Sequence, residues 1–154
     1  MKPILEVFLL TIMIVSLAVQ SWEDLRHKLL YDEASLLLAV AGLTHSFYFG
    51  QLLDGIFACV VALATMGVLY FCSRGGMGLG DVFLAAACAT WLTPVTVVLM
   101  LVLAFSLGGV LAAIFICFGK SRKYAMPFGP FLAMAFVFAF FYGRQILDFY
   151  FRML

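Results

Sequence analysis

Asp81 is the residue that most invites a chemical reading, because of what precedes it: Gly75-Gly76-Met77-Gly78-Leu79-Gly80. Four glycines in six residues are a poor start for a stable helix, since glycine loses more backbone entropy on ordering than any other residue. They do permit unusual dihedrals and close approach, so a substrate strand or a neighbouring helix can come near the carboxylate. A plainer reading is also open: a flexible loop ending in an aspartate N-cap, a negative side chain at the positive end of a helix dipole. The chain has eight acids, and Glu23, Asp24, Asp32, Glu33 and Asp81 fall in loops expected on one side of its helices. For Glu23, Asp32 and Glu33 the expectation is simple solvation. Cys59, Cys72, Cys88 and Cys117 form no CxxC pair and lie in or at the end of apolar runs, as small buried residues do. No disulfide framework or zinc site is expected from them. The sequence has no HExxH and no GxSxG, the spacings that zinc hydrolysis and a serine elbow require. His27 is expected to be solvated and His45 to face a helix bundle, neither with partner ligands.

The elements that would position these residues follow from composition. Of 154 residues, 66% are hydrophobic and 11% charged, against about 45–50% and roughly 25% in soluble domains. The mean hydropathy is +1.17. This predicts an all-α, polytopic membrane protein with a single transmembrane domain over residues 1–154. A net charge of +1 makes no electrostatic case for nucleic acid.

A spanning helix needs about 20 mostly apolar residues. Six candidates are predicted: Pro3–Trp22, with Glu6 near its start; Ala34–Phe49; Gly55–Cys72; a fourth ending near Trp91; Pro94–Phe118; and Phe128–Leu147. Pro94 divides the charge-free run from Val82 to Gly119, because proline disfavours helix at the preceding residue and suits a first helical turn. Val82–Trp91 rises only about 15 Å, half of a roughly 30 Å hydrocarbon core. The fourth helix must therefore start near Met77 or cross only partly. Either way Asp81 is drawn toward membrane depth, where an ionisable group is costly and hence a functional candidate. Trp22 and Trp91, at span ends, are expected to be interfacial anchors.

Arg26 and Lys28, Arg74, and Lys120, Arg122 and Lys123 occupy alternate loops, whereas the loops around Gly50–Asp54 and Thr93 have no Lys or Arg. Positive loops stay cytoplasmic. That places Asp24 and Asp81 at the cytoplasmic face, with both termini outside; Lys2 and Arg152 weigh the other way. A cleaved signal peptide over residues 1–20 is the competing reading, and Ala18-Val19-Gln20 suits cleavage poorly.

Three segments then point to a family. Gly78-Leu79-Gly80-Asp81 matches the GxGD signature of membrane aspartyl proteases, and Gly76-Met77-Gly78-Leu79-Gly80-Asp81-Val82 resembles the prepilin peptidase pattern GMGxGDxKL. Met126-Pro127-Phe128-Gly129-Pro130-Phe131-Leu132-Ala133 resembles that family's P-F-G-P-F-L-A segment, and Asp24-Leu25-Arg26 resembles the D-L-R of its first cytoplasmic loop. A lone GxGD is weak. The three in order, with spans between, resemble the type IV prepilin peptidases in their short single-domain form, and not presenilin-like relatives, which lack P-F-G-P.

The resemblance implies Asp24 and Asp81 as the two catalytic aspartates. It implies Met77, Gly78, Gly80, Pro127, Gly129 and Pro130 as motif and active-site-loop positions, with no cofactor and no metal. The implied activity is a membrane aspartyl endopeptidase that removes the short basic leader of type IV pilin-like precursors. It would work at the cytoplasmic face of the inner membrane, among lipids and the pilus or secretion assembly machinery. Two close carboxylates cannot both ionise cheaply, so they share one proton. One acts as base on a water while the other donates to the scissile carbonyl.

The sequence departs from the family at Phe83, usually Lys, and at Leu30-Tyr31-Asp32, usually Ile-Pro followed by Asn or Asp. Asp32 is the competing first aspartate. Phe83 and Tyr31 also motivate the alternative of a catalytically inactive relative acting as a membrane assembly subunit. A small transporter or channel is a further alternative. Bifunctional members carry an extra N-terminal segment, often with paired CxxC motifs, so no N-methyltransferase activity is expected here. The Met126–Pro130 stretch is read either as a Pro-started helix with glycine for close packing or as a rest for the substrate strand.

Overall fold

A computed structural model describes residues 2–27, 32–73, 77–118 and 127–153. Lys28, Tyr31, Arg74, Gly75, Gly76, Lys120, Arg122, Lys123 and Met126 lie outside the described residues, so the departure at Tyr31 and most of the loop charges have no structural counterpart here.

The described residues form six α-helices: α1 (Lys2–His27), α2 (Asp32–Tyr48), α3 (Leu52–Cys72), α4 (Leu79–Ala89), α5 (Pro94–Cys117) and α6 (Gly129–Met153). Four of them, α1, α3, α5 and α6, are long and apolar enough to cross a membrane. α2 has 17 residues and α4 only 11. At 1.5 Å per residue α4 rises about 16 Å, about half of a roughly 30 Å hydrocarbon core. The helix runs from Leu79, two residues after Met77, to Ala89, two residues before Trp91.

Two loop expectations are corrected. α1 continues past Trp22 to His27 and α2 begins at Asp32, so Glu23, Asp24, Asp32 and Glu33 are helical. Amphipathic spacing explains the extension of α1: Leu9, Met13, Leu17, Gln20 and Asp24 recur every three or four residues, and all are buried, so one face stays packed to the end of the helix.

α4 is the hub of the bundle, packed against α2, α3 and α6. Its Val82-Phe83-Leu84-Ala85-Ala86-Ala87-Cys88-Ala89 run is buried except at Phe83. Small side chains let neighbouring helices approach where apolar surroundings provide no hydrophobic drive between them. At its C-terminal end the orphan carbonyls that every helix leaves are taken up. Ser46 of α2 donates to the Thr90 carbonyl at 2.6 Å, and the Thr90 hydroxyl donates to the Ala87 carbonyl at 2.7 Å. Trp91 donates its indole N–H to the Leu38 carbonyl at 3.0 Å and is 5% exposed. It is a packing residue and not the interfacial anchor expected from its position; Trp22, 56% exposed, keeps an exposed position at the other end. His45 stacks with Phe49, Trp91 and Phe140, as a bundle-facing histidine should.

Gly42 permits the α2–α4 approach, since a Cβ there would fall 2.0 Å from Thr90 Oγ1 and 2.5 Å from Trp91 Cδ1. α5 begins at Pro94, as expected, with Thr93 and Thr96 exchanging backbone-to-hydroxyl bonds across its first turn, a reciprocal cap. One end of the bundle thus gathers the C-terminal ends of α2 and α4 and the start of α3. The other gathers the C-terminal end of α1 with the starts of α2, α4 and α6. Large apolar side chains cover the outer surface, Phe8, Phe57, Val68 and Phe141 among them.

Candidate active site

Asp24 lies one turn before the end of α1 and is 5% exposed. The backbone N–H of Gly129 donates to its Oδ2 at 2.6 Å. Gly129 is the first residue of α6, so this N–H is one of the four that a helix start leaves without an internal partner, and the helix dipole favours a negative group there. Glycine is required at this point. A Cβ would fall 2.8 Å from Asp24 Oδ2 and 3.3 Å from both its Cβ and Cγ. Phe128 fixes the start of α6 by packing on Phe105, ring centroids 5.1 Å apart. Pro130 stands in the first turn, where a missing N–H costs no helical bond, and Pro127 is half-buried just ahead of it. The close packing is present, but what Gly129 packs against is the carboxylate itself.

Asp81 is 8% exposed and is the third residue of α4. It is not the N-cap. That place belongs to Gly78, in extended conformation with φ −78° and ψ 145°. The Asp81 carboxylate faces the Gly78 backbone N–H, the direction in which the acid of a capping box returns to the N-cap amide. Leu79 and Gly80 thereby become the first turn that aims Asp81 inward. A Cβ on Gly78 would lie 3.5 Å from Asp81 Oδ2, an ordinary contact, and Met77 packs half-buried on the core. The Asp24 and Asp81 carboxylates are near enough for their charges to interact.

The remaining acids are arranged differently. Asp32 and Glu33 are exposed in the first turn of α2, and Glu23 pairs with the exposed His27 at 3.7 Å. Arg26 lies over the Trp22 ring, 4.6 Å from its centroid. Phe83 is 47% exposed and, two residues from Asp81, stands on another face of α4. It lines a cleft of about 390 Å³ with Asp32, Ser35, Cys59 and Ala87. Among the described residues no three His, Cys, Asp or Glu side chains gather as a metal site.

Two features of the site escaped the sequence. One is the Gly129 N–H. The other is Gln20, fully buried one helical turn inside Asp24, whose Oε1 accepts a hydrogen bond from the buried Ser35 hydroxyl at 3.0 Å. A polar residue four positions before Asp24 on an otherwise mostly apolar face was the available signal.

Four helices of spanning length in a bundle with a short buried one, and two buried aspartates at a shared end, define the class: a helical bundle built for an apolar surrounding, with a pair of buried carboxylates. Residues 11–114 match the family model described as the type IV leader peptidase family. The chain belongs to that family, as the three sequence motifs had indicated. It is 35% identical over 144 residues to the prepilin leader peptidase/N-methyltransferase of Xanthomonas campestris pv. campestris, covering 88% of this chain and 50% of the relative. It is 32% identical to the protein of the same description from Legionella pneumophila, over 82% of this chain and 47% of that one. It is 31% identical to the leader peptidase HopD of Escherichia coli, over 83% of this chain and 88% of that protein. The chain thus spans about half the length of the first two relatives and most of the third. No solved structure shows significant similarity to it.

Proposed function

We propose that this chain is an aspartyl endopeptidase of the inner membrane that cleaves the short basic leader from type IV pilin-like precursors, with Asp24 and Asp81 as its catalytic pair. The observation that carries the reading is the burial of two aspartates from distant parts of the chain within electrostatic reach of each other. Ionisable groups are seldom buried without a function or a partner. The exposure of Asp32 favours Asp24 over it as the first aspartate. Membership of the leader peptidase family and the similarity to HopD support the substrate class.

In this reading all six helices cross or enter the bilayer, and the end carrying the aspartates faces the cytoplasm, where the basic leader lies. The partners are the precursor, membrane lipids and the pilus or secretion assembly machinery. The pair holds one proton between its two carboxyl groups. The ionised member takes a proton from a water, which attacks the scissile carbonyl, and the protonated member donates to the carbonyl oxygen. Collapse of the tetrahedral intermediate returns a proton to the leaving amine. The Gly129 and Gly78 amides hold the two carboxylates in place while the shared proton moves between them.

The test is cleavage of a co-expressed prepilin in membranes. Asp24→Asn and Asp81→Asn should each leave the precursor uncut while accumulating like the wild type. Cleavage by both variants would remove the dyad. An uncut precursor together with normal pilus assembly in the double variant would favour the inactive assembly subunit.

A further inference from the structure

The Gln20 side chain is wholly shielded from solvent, yet its amide nitrogen has no hydrogen-bond partner. Its oxygen is accounted for by the Ser35 hydroxyl, which donates from the first turn of α2. That bond stitches α1 to α2 and fixes the amide plane. It leaves Nε2 with two N–H groups, a donor that cannot accept. A helical stitch would explain the oxygen but not the nitrogen, because a buried unpaired donor is unfavourable and an apolar side chain of similar length would pack there without that cost.

The acceptor is indicated by where α1 turns. Gln20 and Asp24 are four residues apart and so lie on one face, with Cβ atoms about 6 Å apart. Helical side chains lean toward the N-terminus, so Asp24 leans back over the turn that carries Gln20. A carboxylate and a primary amide at that spacing meet directly after a small side-chain movement, or through one water. Asp24 already accepts the Gly129 N–H on Oδ2, and a carboxylate has room for more than one donor.

We infer that Gln20, locked by Ser35, is a positioning residue for Asp24: its free amide N–H groups serve the Asp24 carboxylate from inside the bundle, opposite the Gly129 N–H, and hold it at the angle the proton-sharing pair needs. This rests on the dyad reading above and deepens it. Gln20 does not touch the substrate. The consequence of losing it is therefore a slower chemical step with unaltered substrate binding.

The experiment uses the full chain, purified in detergent, with a prepilin bearing a short basic leader as the probe, and measures kcat and KM separately. Gln20→Met keeps length and packing and removes the amide. It should lower kcat at least tenfold, leave KM within twofold, and leave the melting temperature unchanged or higher. Ser35→Ala releases the amide plane and should lower kcat by a smaller factor. Ser35→Thr, which keeps the hydroxyl, should restore most of what Ser35→Ala loses. Should Gln20→Met not accumulate, the Ser35 pair decides: kcat lower in Ser35→Ala than in Ser35→Thr supports the inference, and equal kcat overturns it. A Gln20→Met protein with wild-type kcat also overturns it. Asp24→Asn and Asp81→Asn run in parallel. If they cleave, the dyad itself has failed; if they are inactive while Gln20→Met keeps full kcat, the role of Gln20 alone has failed.

Discussion

Gly129→Ala separates the proposed catalytic role of the α6 start from its structural one. The added methyl would sit 2.8 Å from Asp24 Oδ2 and 3.3 Å from the Cβ and Cγ of the same residue. Three atoms of one side chain cannot all be relieved by rotating its tip, so Asp24 must withdraw by several tenths of an ångström. That breaks or lengthens the 2.6 Å bond from the Gly129 N–H. A hydrogen bond to a charged group contributes about 1.5–3 kcal/mol, which converts to roughly 10- to 150-fold in rate at about 1.4 kcal/mol per decade. Overpacking adds a stability cost of about 1–3 kcal/mol, so folding must be measured alongside activity. The assay is the initial rate of leader removal from a prepilin in detergent, normalised to folded enzyme by thermal melting. Gly67→Ala and Gly109→Ala are the controls, because a Cβ at either position meets nothing within 4 Å, and both should cleave at the wild-type rate. The expected result is a loss of at least tenfold for Gly129→Ala alone. A folded Gly129→Ala protein that cleaves at more than about a third of the wild-type rate would refute the claim that this amide holds a catalytic carboxylate.

The shared proton of the proposed pair should make the pH–rate profile a bell: activity falls on the acid side when both carboxyl groups are protonated and no base remains, and on the alkaline side when the shared proton is lost and no acid remains. A profile rising to a plateau with a single limb would count against proton sharing. Gly42→Ala forces a methyl against Thr90 and Trp91, whose positions are fixed by bonds to the Ala87 and Leu38 carbonyls, and should cost about 1–3 kcal/mol, read as a lower melting temperature in detergent. Asp32→Asn, at an exposed position, should change cleavage by less than about twofold, the scale on which surface substitutions away from special features act; inactivity there with activity in Asp24→Asn would transfer the first catalytic role to Asp32.

The helical class and the short fourth helix were legible because apolar run length and a proline report directly on what can cross about 30 Å. Asp81 was legible as a candidate because four glycines are a visible anomaly. Its role in the turn was not: an aspartate three residues into a helix and an aspartate at the cap differ by a few residues of boundary, and only the backbone conformation of Gly78 distinguishes them. Trp91 misled because an aromatic at the end of an apolar run reads as an anchor until a partner carbonyl, here that of Leu38 on another helix, is seen to take its N–H. The Gly129 amide could not be read at all, since every residue but proline carries the same donor; the sequence displays only that something there must be small.

Each of the two carboxylates faces a backbone amide at a helix start. Asp81 faces the amide that precedes its own helix, and Asp24 accepts from the first amide of α6. Such donors sit on rigid helix starts, so they fix angles closely, and they bring partial rather than full charge. That distinction matters for the dyad. A backbone amide also donates, more weakly, to a neutral oxygen, and an asparagine oxygen in the place of Oδ2 can take the same N–H. In the proposed dyad this would accommodate the neutral state that each carboxyl group visits when the proton crosses to it. It also explains why Asp24→Asn and Asp81→Asn should assemble normally while losing cleavage, and it separates a site built for proton transfer from one built for a permanent ion pair, in which the same substitutions would unfold the end of the bundle.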